Sequence, residues 1–290
     1  MGAKPRRRLL PSSDRSPETL LEPLTRASRR DAIAYAARRP YDNVYLQWVL
    51  EGGHGAAARD EIVINRDFRG RITGLAYFGM QLVVAADDDA AIDAIAVETR
   101  KHRALRSFVG PKDVVDRIWQ RVQTWHVAPA IVRDTQPLYA LVPERLTDQP
   151  DVPVRLALES EAALVADNSG QMILGELGYD PRVNGWYTAG VRRAIAAGLW
   201  WVWIDQGHLR FQCNVGPRTA ATAQLQGVWT PPDRRGHGDA SRALAAIARR
   251  LFATEATLSL YVNDFNTAAI ALYERLGFTQ VSTFATYLFP

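Results

Sequence analysis

Residues 230–240 constrain this chain more than any other segment. Thr230-Pro231-Pro232 must end a β-rich run, because proline cannot donate to a ladder and keeps its predecessor out of the helical region. Gly236 and Gly238 then flank His237 directly ahead of a stretch, 239–253, that places Leu244, Ile247, Ala248 and Leu251 on one helical stripe. Strand, glycine turn and helix in that order bring backbone N–H groups close to anything bound at the turn. The helix start adds unpaired N–H groups and the positive end of its dipole. Such a site suits a pyrophosphate, and Arg234 and Arg235 can add charge-assisted contacts. Two other phosphate-binding turns are excluded. A Walker loop needs a lysine that is missing here, and a dinucleotide fingerprint needs Gly or Ala where Ser241 stands.

Around this turn the periodicity predicts strand 153–158, helices 159–174 and 182–197, and β-rich runs 199–205, 209–215 and 221–230. Helix 239–253, strand 256–263, helix 265–276 and strand 278–289 follow. Gln206-Gly207 reads as a hairpin turn and Gly277 as a left-handed C-cap. The first half alternates in the same manner: helices 27–38, 42–51, 88–101 and 112–124, and strands 61–66, 72–78, 80–85, 105–109 and 129–142. Residues 142–153 hold three prolines and four charges without a sustained apolar period, and so mark a seam. The expected division is a disordered basic arm (1–26), a first domain (27–146), a linker (147–152) and a second domain (153–290). The fold class is α/β (α+β), with mixed, mostly antiparallel sheets flanked by helices.

Composition narrows the function classes. Of 290 residues, 47% are apolar and 23% charged, so a full core can be buried. A net charge of +4, part of it in Lys4, Arg6, Arg7 and Arg8, falls short of the dense basic field of a nucleic-acid binder. The single cysteine, Cys213, excludes an intramolecular disulfide and a cysteine-rich metal site. No apolar run has the length of a secretory or membrane-spanning segment, so a cytoplasmic chain is expected.

Arg235-Gly236-His237-Gly238-Asp239-Ala240 matches the R-x-x-G-x-[GA] motif of the GNAT superfamily of acyl-CoA N-acyltransferases. Residues 258–263 resemble that family's next strand. Asn266 to Phe278 resembles its N-x-x-A-x-x-x-Y-x-x-x-G-F helix, and the element order after the seam is the family's order. The whole chain is similar to a two-domain GNAT subfamily, through Tyr41-Asp42-Asn43-Val44-Tyr45 and Phe108-Val109-Gly110-Pro111. The first half then reads as a degenerate copy of the fold. It lacks the phosphate motif, Gly110-Pro111-Lys112 being a poor substitute, and is expected to bind no CoA.

The resemblance implies tandem GNAT-like domains and transfer of an acyl group, acetyl by expectation, from acetyl-CoA to a primary amine by direct attack, with no metal. Val228, Trp229 and Thr230 would flank the pantetheine arm, a backbone N–H near Val228 polarising the thioester carbonyl. Arg235 to Ala240 would hold the pyrophosphate, Asn266 would contribute to the CoA site, and Tyr273 would return a proton to the departing thiolate. Glu176 is the leading candidate for the base. His237 is tempting by residue type, but its loop position makes it a pyrophosphate or solvent contact. The neutral Gln212 and Asn214 stand where relatives often place a carboxylate. Asp239 suits the helix dipole yet could repel the pyrophosphate. Trp200, Trp201, Trp203 and Trp186 read either as core or as an aromatic acceptor pocket, with Trp201 and Trp203 on one face and Trp200 on the other. Competing readings are a low-molecular-weight thiol synthase-like enzyme, an aminoacyl transferase using tRNA, and a non-catalytic CoA-sensing module. The amine partner and the choice of monomer or homodimer stay open.

Overall fold

The computed structural model describes residues 20–290 except 54, 56, 57, 59, 60 and 184. Its elements repeat one order twice. The first half runs β1 (Leu20–Pro23), α1 (Arg29–Ala36), α2 (Val44–Glu51), β2 (Ile62–Arg66), β3 (Ile72–Phe78), β4 (Gln81–Ala86), α3 (Asp89–Glu98), β5 (Ser107–Pro111), α4 (Lys112–Val122) and β6 (Ile131–Leu141). The second runs β7 (Arg155–Leu156), α5 (Ala162–Leu177), α6 (Trp186–Ala196), β8 (Trp200–Asp205), β9 (His208–Arg218), β10 (Ala223–Trp229), α7 (Asp239–Leu251), β11 (Leu258–Tyr261), α8 (Thr267–Arg275) and β12 (Thr279–Leu288).

The described strands form one sheet in the order β1-β2-β3-β4-β5-β12-β6-β11-β10-β9-β8-β7. Only β4–β5 and β10–β11 are parallel pairs; the other neighbours are antiparallel. Each half lends its last strand to the other. β6 pairs with β11, and β12 pairs with β5, the two exchanged strands lying side by side at the centre.

Packing follows the exchange. Tyr139 and Leu141 of β6 sit in the core of the second half with Phe211, Cys213 and the Leu244/Ile247/Ala248/Leu251 stripe of α7. Ala285, Tyr287 and Phe289 belong to the core beneath α3 and α4. Burying one such large apolar side chain contributes about 1.5–3 kcal/mol. Two or three on each exchanged strand then amount to a sizeable share of the ~5–15 kcal/mol that stabilises a domain. The seam expected near residue 150 therefore falls between the two runs of elements without dividing the sheet.

Sequence boundaries mostly stand within a few residues, with two exceptions. The expected basic arm ends early: residues 20–23 form β1, paired with β2 from Leu20↔Arg66 to Pro23↔Val63, because Leu21 finds the α3–α4 core. Residues 1–19 lie outside the described residues. The strand expected at 153–158 shrinks to two exposed residues, and α5 runs on to Leu177 rather than stopping at 174. Gln206 (φ 49°) and Gly207 (φ 79°) make the expected hairpin turn. Gly277 (φ 99°) is doubly required, since a Cβ there would lie 1.9 Å from the carbonyl oxygen of Arg145 in the seam.

Candidate functional site

The site begins with a defect in β10. Gln226 pairs with Asn214 and Trp229 with Gln212, so Gly227 and Val228 together oppose the single residue Cys213. Gly227 takes φ 56°, and a Cβ on it would press within 3.3 Å of the Trp200 ring. Such a bulge bends its strand and redirects the backbone groups. Cys213 is wholly buried beneath it, 3.7 Å from the Gln226 carbonyl oxygen, and burial pushes its thiol up to about 12. That argues for packing rather than nucleophilic chemistry. On its other side β10 stays in register with β11 only at Ala223↔Leu258 and Gln224↔Ser259. Beyond those pairs the parallel strands part, and a cavity of about 1140 Å³ opens between them.

Val228, Trp229 and Thr230 line one wall of this cavity, and the glycine turn lies at its edge. Gly236 and Gly238 have φ 78° and 77°, with open space where a Cβ would stand. Backbone conformation, not crowding, is what demands glycine at both. Gly238 caps α7, whose first turn receives no side-chain cap, so its N–H groups are left for solvent or a ligand. Arg235 donates to the Thr230 carbonyl oxygen (3.2 Å) and lies over the Trp229 ring, 4.7 Å from its centroid. His237 Nδ1 meets the Arg235 carbonyl oxygen at 2.9 Å, holding the loop rather than facing the strands.

Asp239 is buried, with 2% of its surface exposed. Its Oδ1 accepts from Arg242 at 2.7 Å, and its Oδ2 lies 3.6 Å from both Arg210 and Arg234. Arg210 is shared with Asp205 at 2.5 Å. Three guanidinium groups thus meet two carboxylates beside the turn, leaving a positive excess. The repulsion that its residue type suggested is offset by arginines from β9, the loop and α7.

On the opposite wall, Asn266 caps α8 by accepting from Ala269 N–H at 3.2 Å, and Tyr273 follows two turns later. Both line the cavity. The Tyr273 ring packs between Tyr139 and Phe278, so it is a core aromatic as well as a cavity residue. Burial raises its phenol above the ordinary value of 10, with Cys213 and Glu176 adding to the effect. Among the described residues its hydroxyl makes no hydrogen bond.

Glu176 lies in the last turn of α5, not in a loop as expected, and lines the cavity. Its carboxylate is 3.5 Å from Arg133 of β6, which also donates to the Glu176 carbonyl oxygen at 3.3 Å. Gln212 is fully buried with neither amide atom hydrogen-bonded, and neither it nor Asn214 lines the cavity. The tryptophan pocket is not formed. Trp201 and Trp203 pack on the α7–α8 core, Trp200 is buried under α5 and α6, and Trp186 is 80% exposed. The cavity's aromatics are instead Trp229, Tyr273, Tyr261, Tyr45 and Phe284.

The cavity reaches beyond any residue expected from sequence. Gln136 on β6 donates to Asn263 (2.9 Å), just past β11, and accepts from Thr286 on β12 (2.6 Å), and Gln136 and Asn263 both line the cavity. Of the first-half residues that carry the family resemblance, Asp42, Val44, Tyr45 and Val109 line the cavity. Among the described residues no group of three or more His, Cys, Asp or Glu is placed to hold a metal ion, and no helix is long and apolar enough to cross a membrane.

Comparison with known proteins bears on this geometry. A model of the FR47-like protein family matches residues 218–287, which span the bulge, the glycine turn and α8. A domain of unknown function, DUF4081, matches residues 63–165 and so crosses the seam. No curated protein matches the chain. Among solved structures, a GNAT-family acetyltransferase of Colwellia psychrerythraea is similar at 11% identity and TM-score 0.59, over 93% of this chain and 100% of that one. A GCN5-related N-acetyltransferase of Kribbella flavida reaches 15% identity and TM-score 0.56, over 89% and 95%. A tandem GNAT protein from the clavulanic acid biosynthesis pathway reaches 14% and 0.56, over 93% and 98%. At these identities the likeness is one of fold, and it extends over both halves.

Proposed function

Because the chain has the fold of the GNAT superfamily, we propose that it is an N-acyltransferase that moves an acyl group, acetyl in the simplest case, from acyl-CoA to a primary amine. One observation carries the reading. The gap between β10 and β11 connects an uncapped helix start, suited to a pyrophosphate, with a buried tyrosine, Tyr273, whose hydroxyl has no hydrogen-bond partner among the described residues.

In this reading Gly236 to Ala240 hold the diphosphate through backbone N–H groups, and the pantetheine arm runs between the parted strands. Arg235 must swing from Trp229 or contact the phosphates from above it. A backbone N–H at the Val228 bulge polarises the acyl carbonyl where negative charge develops. The amine nitrogen attacks that carbon, the C–N bond forms and the C–S bond breaks. Tyr273 gives its proton to the leaving sulfur, and the attacking nitrogen loses one towards Glu176, directly or through water. The raised pKa of Tyr273 fits a group that must stay protonated until sulfur departs.

The test is release of free CoA thiol when the full chain is mixed with acetyl-CoA and a panel of primary amines. Turnover with at least one amine, first order in protein, is expected. Binding of acetyl-CoA with no turnover on any amine would favour the sensing module instead.

A further inference from the structure

The cavity does not stop at the parted strands. It runs on across the sheet face that carries α2 and α5, over Tyr261, Gln136 and Phe284, to Val109 and Val83 of the first half. At that far end stands Asp42, just ahead of α2 and inside the Tyr41–Tyr45 segment that donor chemistry leaves unused. Its situation is unusual for a carboxylate. Among the described residues it forms no ion pair, and its Oδ1 is out of contact with water and accepts no hydrogen bond. The Ser282 hydroxyl on β12 supports its charge and Arg39 acts from a distance, while Asp113 opposes it. Burial outweighs these and raises its pKa. A half-buried carboxylate without a cation is costly, and a positive charge in the cavity beside Asp42 would relieve that cost through space, without contact at the enclosed Oδ1. Arg133, a cation that lines the cavity on β6, is engaged by Glu176.

We infer that Asp42 is a recognition site for a second, positively charged group on an elongated amine acceptor, whose reactive nitrogen meets the acyl donor at the Val228 bulge. The inference rests on the acyltransferase reading and deepens it. Asp42 neighbours β12, and β12 lies three strands from β10. At ~4.8 Å per paired strand, and more where β10 and β11 part, the two ends are at least about 14 Å apart, so the acceptor is a long diamine rather than a compact one. The polar floor at Gln136 and the aromatic walls at Tyr45, Tyr261 and Phe284 suit an alkyl chain between two charged ends.

The test uses the full chain, acetyl-CoA and α,ω-diamines of increasing length, each set against the monoamine of equal length. Long diamines should show kcat/KM at least about tenfold above their monoamines, the scale of one charge-assisted contact. In Asp42→Asn that ratio should collapse towards one, while acetyl-CoA affinity and thermal midpoint match the parent. A ratio near one in the parent, or one that survives Asp42→Asn, overturns the inference. If acetyl-CoA does not bind and nothing is acylated, the acyltransferase reading fails by itself. The Asp42 site is then judged separately by whether a long diamine raises the thermal midpoint of the parent and not of Asp42→Asn.

Discussion

The two halves carry the same ten elements in the same order, yet the corresponding helices α3 and α7 begin in opposite ways. Between β4 and α3 lie two residues, 87 and 88; between β10 and α7 lie nine, 230–238. The Asp88 carboxylate accepts from the Ala91 N–H at 2.8 Å, and Asp89 in the same turn is held by Arg117 and Arg121. That helix start already has its anions. α7 starts at a glycine with no side-chain cap, and its one acidic residue, Asp239, is turned into a cluster of arginines. The neighbouring strands differ likewise. β4 and β5 stay paired through Val83↔Val109, and a Cβ on Gly110 would lie 3.1 Å from the Val84 carbonyl oxygen. β10 and β11 separate after two pairs. On the proposed reading, such a fold gains a donor site by leaving groups unsatisfied, and a wall for the acceptor by satisfying them.

The comparison breaks most visibly if α7 is given the cap of α3. Gly238→Asp would set a carboxylate where phosphate oxygens are proposed to sit and would occupy the helix N–H groups internally. Aspartate tolerates the left-handed conformation better than most residues, so the fold should survive. Acetyl-CoA affinity, measured by calorimetry, should fall by about a hundredfold or more. Retention within twofold would mean that the turn is not the phosphate site.

Tyr273→Phe should leave acetyl-CoA affinity intact and lower kcat by about 10²-fold, the scale of a lost general acid. Burial disfavours the phenolate, so the folded-state pKa lies above 10 and the proton donor persists as pH rises through 9. The alkaline limb of kcat due to this residue therefore lies above the ordinary tyrosine range. A limb centred below pH 9 that disappears in Tyr273→Phe would contradict the assignment.

Asp239→Asn sharpens the charge side of the comparison. If Asp239 positions Arg210, Arg234 and Arg242, its neutral isostere loosens them. Acetyl-CoA should then bind a few-fold more weakly, and stability should drop by about 1–2 kcal/mol, the arginines being partly exposed. Tighter binding would mean that the carboxylate opposes the phosphates after all.

How much of this could be read from the chain alone follows from range. The Leu244–Leu251 stripe, the hairpin at Gln206-Gly207 and the turn at Gly236–Gly238 are local patterns, and each forms where its spacing places it. Tyr273 was legible as part of a helix motif, and its burial agrees with both its core and its cavity roles. β1 was missed because Leu20 and Leu21 sit in a short run beside a basic segment, and only its pairing with β2 makes it a strand. The exchange of β6 and β12 was not legible at all. Alternation says which face of a strand is buried, not which strand lies beside it. For the same reason Gln136, Phe284 and Asp42 could not be placed at the cavity, since strands distant in sequence bring them there.

The smallest effect tests the other side of the comparison. Asp88→Ala removes the cap from α3 and should cost about 1 kcal/mol, read as a fall of about 2–4 °C in the thermal midpoint. Acetyl-CoA stoichiometry should remain one per chain. The freed N–H groups face a two-residue loop and strands still in register, so removing the carboxylate alone creates no room for a pantetheine arm. A second equivalent of acetyl-CoA bound by Asp88→Ala would show that the cap alone keeps the first half from acting as a donor site. The closed strands would then have to open with it.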